Sequence, residues 1–183
     1  IGLILYSIEL ALSPFYVELM KKDPEFETKY LRITHAVVVM SFLLATTLAL
    51  FARELIAAVF PPGLREAAKI APLIVVGYFF LGLYTVYIKP FVLLARTAVV
   101  PLIPLVPTLL GIATSVALVP TLGVVGPAVS TIGSLALLAC VSLVLAQRVL
   151  RFAYPLRLHA LLAAVTTVVG CAAAASWQST AIG

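Results

Sequence analysis

Six stretches of the chain are long and apolar enough to be helices that cross a membrane. They run from Ile1 to Met20, Ile33 to Ala52, Ile70 to Ala95, Ala98 to Val119, Val124 to Ala146 and Leu158 to Trp177. A spanning helix needs about 20 mostly apolar residues. Each stretch ends for a local reason. Lys21-Lys22-Asp23-Pro24 closes the first with charge and a helix-terminating proline, and Pro61-Pro62-Gly63 breaks the chain after the second. Pro120-Thr121-Leu122-Gly123 reads as a tight, uncharged turn between the fourth and fifth, and Gln147 to Arg157 as a basic connector. Arg53 to Lys69 mixes apolar and charged residues, as an interfacial segment does.

Composition supports lipid as the solvent. Hydrophobic residues make up 63% of the chain and charged residues 10%, with a mean hydropathy of +1.20. A soluble domain holds about 45–50% apolar and about 25% charged residues, so this chain lacks the charge to clothe a water-facing surface. The predicted fold is all-α: residues 1–183 form a single polytopic bundle of about six transmembrane helices.

Charge sets the orientation. Lys21, Lys22, Lys29, Arg32, Arg96, Arg148, Arg151 and Arg157 fall on the first, third and fifth connectors, against Arg53, Arg65 and Lys69 on the second. By the positive-inside rule the odd connectors face the cytoplasm. The net charge of +5 then reflects topology and gives no reason to expect a nucleic-acid partner. Ile1 already lies in an apolar run, with no basic leader or cleavage site before it. We expect a fragment whose upstream portion carries an odd number of spans.

Phosphate-binding glycine loops, HExxH, nucleophile elbows and carboxylates paired at catalytic spacing are all missing from the sequence. The expectation is a non-enzyme without cofactor or metal. Cys140 and Cys171 sit in apolar runs without metal-ligand neighbours and read as small hydrophobes.

A few polar residues stand out against the apolar background. Glu9 lies eleven positions before Met20, about 17 Å of helix rise from the membrane edge, where a carboxylate usually faces a cavity or a partner. Tyr6, Glu9, Ser13 and Tyr16 share one face, read as a substrate or ion cavity wall. Tyr78, Gly82, Thr85 and Lys89 share another. Lys89 is placed either to attract a diphosphate or to snorkel to the headgroups. Pro101, Pro104 and Pro107 crowd the start of the fourth helix and are read as a hinge. Pro104, Thr108, Gly111 and Ser115 form a small-residue face, and Gly126, Ser130 and Gly133 a similar seam on the fifth. His35 and His159 read as interfacial anchors, and Lys21 to Arg32 as a solvated connector.

Glu54-Leu55-Ile56, Glu66-Ala67-Ala68, Ile70-Ala71-Pro72-Leu73, Gly82-Leu83-Tyr84 and the run Val119-Pro120-Thr121-Leu122-Gly123-Val124-Val125-Gly126-Pro127-Ala128-Val129-Ser130-Thr131 carry a resemblance. Together with Ser13-Pro14-Phe15, they resemble the oligosaccharide flippases of the multidrug/oligosaccharidyl-lipid/polysaccharide exporter superfamily, where I-P-x-x-G-x-x-G-A-A-x-A-T joins two late helices of each half. Gly111 and Ser115 stand where the family often has asparagines, and Pro127 where it usually has Ala. The resemblance implies the second half of a two-bundle exporter in a bacterial or archaeal plasma membrane. It implies a polyprenyl-diphosphate-linked oligosaccharide as cargo and a missing N-terminal bundle as partner. The competing readings are a multidrug or cation antiporter of the same superfamily, a membrane-embedded glycosyl or acyl transferase, and a structural membrane subunit.

Overall fold

The computed structural model describes residues 7, 10–12, 14–16, 18, 25–61, 70–94, 97–150 and 154–179. Within these the chain is helical throughout, without strands. The helices are α1 (Phe26–Leu50), α2 (Ala52–Val59), α3 (Ala71–Tyr87), α4 (Lys89–Leu93), a 3-10 segment (Thr97–Leu102), α5 (Leu105–Leu122), α6 (Val125–Val149) and α7 (Leu156–Ser179). Among the described residues five helical stretches are long and apolar enough to cross a membrane: Phe26–Leu50, Ala71–Leu93, Val100–Leu122, Val125–Val149 and Leu156–Ser176. The chain is an all-α, multi-pass membrane bundle. Of the expected first span, residues 7, 10–12, 14–16 and 18 are described, and all are helical.

The bundle is organised around α3. It packs on α6, α1 and α7; α1 also packs on α7, and α5 packs almost entirely on α6. A helix enclosed on all sides should be apolar all round. Accordingly 56% of the Ala71–Leu93 span is buried, against 11% of the span containing α5. Phe79 and Val76 are fully enclosed, and Phe79, Leu83, Val86 and Tyr87 join Tyr30, Val37, Val38 and Ala45 of α1 in the main core. At the far end Leu73, Ala128 and Ala174 tie the starts of α3 and α6 to the end of α7. Elsewhere Ile112, Val116 and Val168 stand 59%, 69% and 67% exposed, which only a lipid solvent makes comfortable.

Several boundaries differ from the sequence expectation. α1 starts at Phe26, so the last residues of the expected solvated connector are its first two turns, and Tyr30 among them is buried. Hydropathy marks the apolar stretch alone, whereas the helix continues beyond it through Phe26 to Arg32. The third span breaks at Ile88, because Pro90 has no N–H to give the Val86 carbonyl. The Tyr30 hydroxyl donates to that carbonyl instead, at 3.4 Å. The expected kinked fourth helix is a 3-10 turn holding Pro101, a break at Ile103, and then α5. Pro104 is the N-cap of α5, and Pro107 lies in its first turn. There a missing N–H costs nothing, since first-turn donors have no partner within the helix.

Likewise the expected turn at Pro120 to Gly123 is shorter, because α5 runs through Pro120 to Leu122. The reversal falls at Gly123, whose φ of 54° and ψ of −131° only glycine holds without strain.

α7 approaches α3 most closely at Gly170. A Cβ there would overlap the Val76 side chain, which is β-branched and fully buried, and would lie 3.3 Å from the Pro72 carbonyl oxygen. Gly170→Val is therefore expected to lower stability by about 1–3 kcal/mol through overpacking. The check is thermal unfolding in detergent micelles, with Gly133→Val, which meets open space, as the neutral comparison.

Candidate functional site

Polar groups gather in two places, one towards each end of the bundle. The first is the seam between α5 and α6. Gly111 lets the helices touch: a Cβ on it would lie 2.8 Å from Ser134 Cβ. Gly126 allows a second close approach further along the crossing, where a Cβ would lie 2.9 Å from the Leu118 carbonyl group. The contact is fastened by polar bonds. Ser130 Oγ donates to the Gly111 carbonyl at 2.6 Å, and Thr114 Oγ1 lies 2.6 Å from Ser130 Oγ. Small residues at close crossings with hydroxyls bonding across them are how membrane helices associate without a hydrophobic driving force.

Beside this seam lies a cavity of about 340 Å³ lined by Thr108, Gly111, Ser115, Ser130, Thr131 and Ser134 together with the apolar Ile112 and Val116. Counting back from Leu122, Ser115 and Thr108 lie roughly 10 and 21 Å into the span at about 1.5 Å per residue. The lining carries five hydroxyls and no charge. Thr131 and Ser134 already donate to the Pro127 and Thr131 carbonyls of their own helix, at 2.8 and 3.0 Å. Their remaining capacity is as acceptors. The cavity therefore offers oxygen lone pairs to an O–H or N–H donor held at membrane depth.

The second place is the end where Lys29, Arg32, Lys89, Arg148 and Arg157 gather, hereafter the basic end. There α1, α3, α7 and the residues before α7 meet in a buried aromatic cluster. Tyr16 packs on Tyr30 at 5.5 Å between ring centroids, and Tyr87 meets Tyr154 edge-on at 5.8 Å. His159 is 3% exposed, and its Nδ1 is bonded to the Tyr87 hydroxyl at 2.8 Å. Its ring stacks on His35, centroids 6.0 Å apart and planes 10° from parallel. Thr34 Oγ1, His35 Nδ1, His159 Nε2 and Tyr154 Oη are buried without a hydrogen-bond partner among the described residues. Tyr154 lies outside the spans; burial pushes its phenol above the usual range, and the nearby Tyr30 hydroxyl opposes that shift.

The sequence-predicted residues divide unevenly between these places. Tyr6, Glu9 and Ser13 lie outside the described residues. Tyr16, expected on a cavity wall, is 2% exposed and packed in the aromatic core. Thr85 is half-buried and donates to the Gly82 carbonyl of its own helix at 2.8 Å. Lys89 is half-buried at the break between α3 and α4 and is not an unpaired cation. Pro101 is exposed, Pro104 half-buried and Pro107 buried.

The small-residue seam brings together Thr108, Gly111, Ser115 and Ser130, with Gly126 holding the helices close. Gly133, expected on the same seam, faces open space. His35 and His159, expected as separate anchors, are one stacked pair locking α1 to α7. Among the described residues no group of three His, Cys, Asp or Glu could hold a metal. No family model, curated protein or solved structure matches the chain.

Two substitutions test this geometry. Ser130→Ala removes the bond to Gly111 and is expected to cost about 0.6–1.7 kcal/mol, the range for interhelical bonds in membranes. Tyr87→Phe leaves His159 Nδ1 without its partner and is expected to cost a similar amount. Both are read as shifts of the unfolding transition in a denaturing-detergent titration. A double variant should lose the sum, since the sites share no partner.

Proposed function

We propose that this chain forms one helix bundle of an exporter that moves a polyprenyl-diphosphate-linked oligosaccharide from the inner to the outer leaflet of a bacterial or archaeal plasma membrane. The observation that carries the reading is the uncharged, hydroxyl-lined cavity of about 340 Å³ beside the α5–α6 seam. A sugar headgroup must cross about 30 Å of hydrocarbon, and a polar cavity between bundles shields it on the way. Sugar hydroxyls are donors as well as acceptors, and they match the acceptor oxygens of Thr131 and Ser134 and the hydroxyls of Thr108 and Ser115.

The same lining weighs against the cation exporter. A desolvated cation calls for a carboxylate or an aromatic face, and neither lines this cavity. Against a membrane-embedded transferase stands the want of a nucleophile–base pair or acid pair around it. The run Val119 to Thr131, which carries the family resemblance, builds the turn and the first half of the α6 wall, so the resemblance and the cavity point to one segment. In this reading Lys89, at the basic end, attracts the diphosphate. Pro101, Pro104 and Pro107 serve as the hinge of alternating access, while Glu9, Tyr6 and Ser13, expected on a substrate or ion cavity wall, lie outside the described residues. A second bundle of the same protein completes the enclosure.

The test uses the full-length protein in proteoliposomes, with a fluorescent polyprenyl-diphosphate oligosaccharide in one arm and a lipophilic cationic dye in the other. Sugar flipping is expected, with Ser115→Leu/Thr131→Val slowing it about tenfold, the equivalent of about 1.4 kcal/mol. The melting temperature should hold, because both side chains face the cavity. Dye movement without sugar movement would replace this reading with the cation exporter, and movement of neither would end it.

A further inference from the structure

The aromatic cluster at the basic end contains a closed circuit of polar side chains. Tyr30, Thr34 and His35 come from α1, and Tyr87 is the last residue of α3. Tyr154 lies just before α7, and His159 is in its first turn. Each touches the next. The His35 ring stacks on His159, His159 bonds to Tyr87, and Tyr87 meets Tyr154 edge-on. The hydroxyls of Tyr154 and Thr34 both neighbour that of Tyr30. Thr34 and His35 are consecutive in the chain, which closes the circuit. Thr34, His159 and Tyr154 are 1%, 3% and 6% exposed, so the ring is sealed within the bundle.

Much of the hydrogen-bonding capacity in this circuit is unspent. In a neutral imidazole one nitrogen donates and the other accepts. With Nδ1 of His159 engaged by Tyr87, Nε2 is one bond short in either tautomer. His35 Nδ1, Thr34 Oγ1 and Tyr154 Oη likewise find no partner among the described residues. Left dry, four such groups in one place would cost a large share of a bundle's stability. What meets them must be small, able both to donate and to accept, and uncharged. These six side chains include no carboxylate to balance a cation, and the described residues hold no metal-binding group. Arg32 and Arg157, the cations nearest along the chain, are exposed and leave an anion unbalanced inside. Water alone fits all three conditions.

We infer that this circuit is a binding site for ordered water, about one or two molecules making roughly three bonds each. Thr34 Oγ1, Tyr154 Oη, His35 Nδ1 and His159 Nε2 are its ligands. The water joins α1 to the start of α7, adding directional bonds where ring stacking alone would hold them. A water-mediated bond is nearly as good as a direct one, so the joint is firm without side chains that reach across it. The site stands apart from the hydroxyl cavity and does not depend on what the protein transports.

Two measurements on the full chain test the site. The chain has two histidines, so labelling histidine with a nitrogen isotope reports on this cluster alone. In lipid nanodiscs, magnetisation transferred from water should reach the His159 ring nitrogens. Thr34→Val/Tyr154→Phe should slow that transfer several-fold by removing two of the water's partners. In a denaturing-detergent titration Thr34→Val, which keeps the shape and deletes the hydroxyl, should lower the unfolding midpoint. Around a dry cluster the sign reverses, because the substitution then removes an orphaned group. Absent transfer, or transfer unchanged in the double variant, overturns the water site. A raised or unchanged midpoint overturns Thr34 as one of its ligands.

Discussion

A hydroxyl or carbonyl in hydrocarbon must find its partner inside the protein, and this constraint governs the arrangement of the bundle. Ser41, Ser142 and Thr166 are buried in the spans, and each returns its proton to the carbonyl four residues back, at 2.7, 2.7 and 2.8 Å. So satisfied, they behave as small apolar residues and let helices pass closely. The carbonyl freed by Pro90 takes the Tyr30 hydroxyl, so even the break in the central span is closed by a neighbouring helix. With these groups settled locally, α3 presents an unbroken apolar surface, and α1, α6 and α7 each pack on it.

Where the rule is relaxed, the structure has something to offer a ligand. In the α5–α6 seam the bond from Ser130 to Gly111 satisfies the crossing itself, while Thr108 and Ser115 beside it keep their hydroxyls turned to the cavity. At the basic end the exceptions are enclosed: Thr34, His35, Tyr154 and His159 keep polar atoms within a packed cluster that find no partner among the described residues. Buried polar atoms of this kind are ordinarily met by ordered water, with room for two to four bonds each. An accessible hydroxyl surface suits a passing hydroxylated cargo, whereas a closed cluster suits a fixed joint between helices. The division of labour follows from access, since both sites draw on neutral oxygen and nitrogen groups.

Much of the architecture was legible because hydropathy measures contact with lipid directly. The span positions and the seam at Thr108, Gly111, Ser115 and Ser130 follow from composition or from spacing along one helix. The failures have a common physical origin. Gly133 lies three residues from Ser130, yet a helix turns about 100° per residue, and that offset carries it past the line of contact. Tyr16 looked like a cavity residue because a wheel reports which side chains align, not what stands opposite them. The His35–His159 pair left no local trace, because the two rings belong to helices far apart in the chain that meet only once the bundle has packed. Aromatic residues near the same predicted membrane face, at Tyr30, Tyr87 and Tyr154, were the one available hint.

The exposure of α5 decides how the hydroxyl cavity must be read. Among the described residues this helix packs almost entirely on α6, and only 11% of its span is buried. Ile112 and Val116 in the cavity's lining stand open to hydrocarbon, as apolar side chains should. Thr108 and Ser115 on the same helix do not share that comfort, since a hydroxyl left facing lipid without a partner loses its hydrogen bonds outright. Thr114 escapes the penalty by bonding to Leu110 and lying against Ser130, and Thr121 by bonding to Leu118. Thr131, Ser134 and Ser130 are settled on carbonyls of the two helices, whereas Thr108 and Ser115 gain most at this depth from water or another polar surface. Water or a further polar surface beside α5 would meet them, and the second bundle of the proposed exporter is one way to supply it.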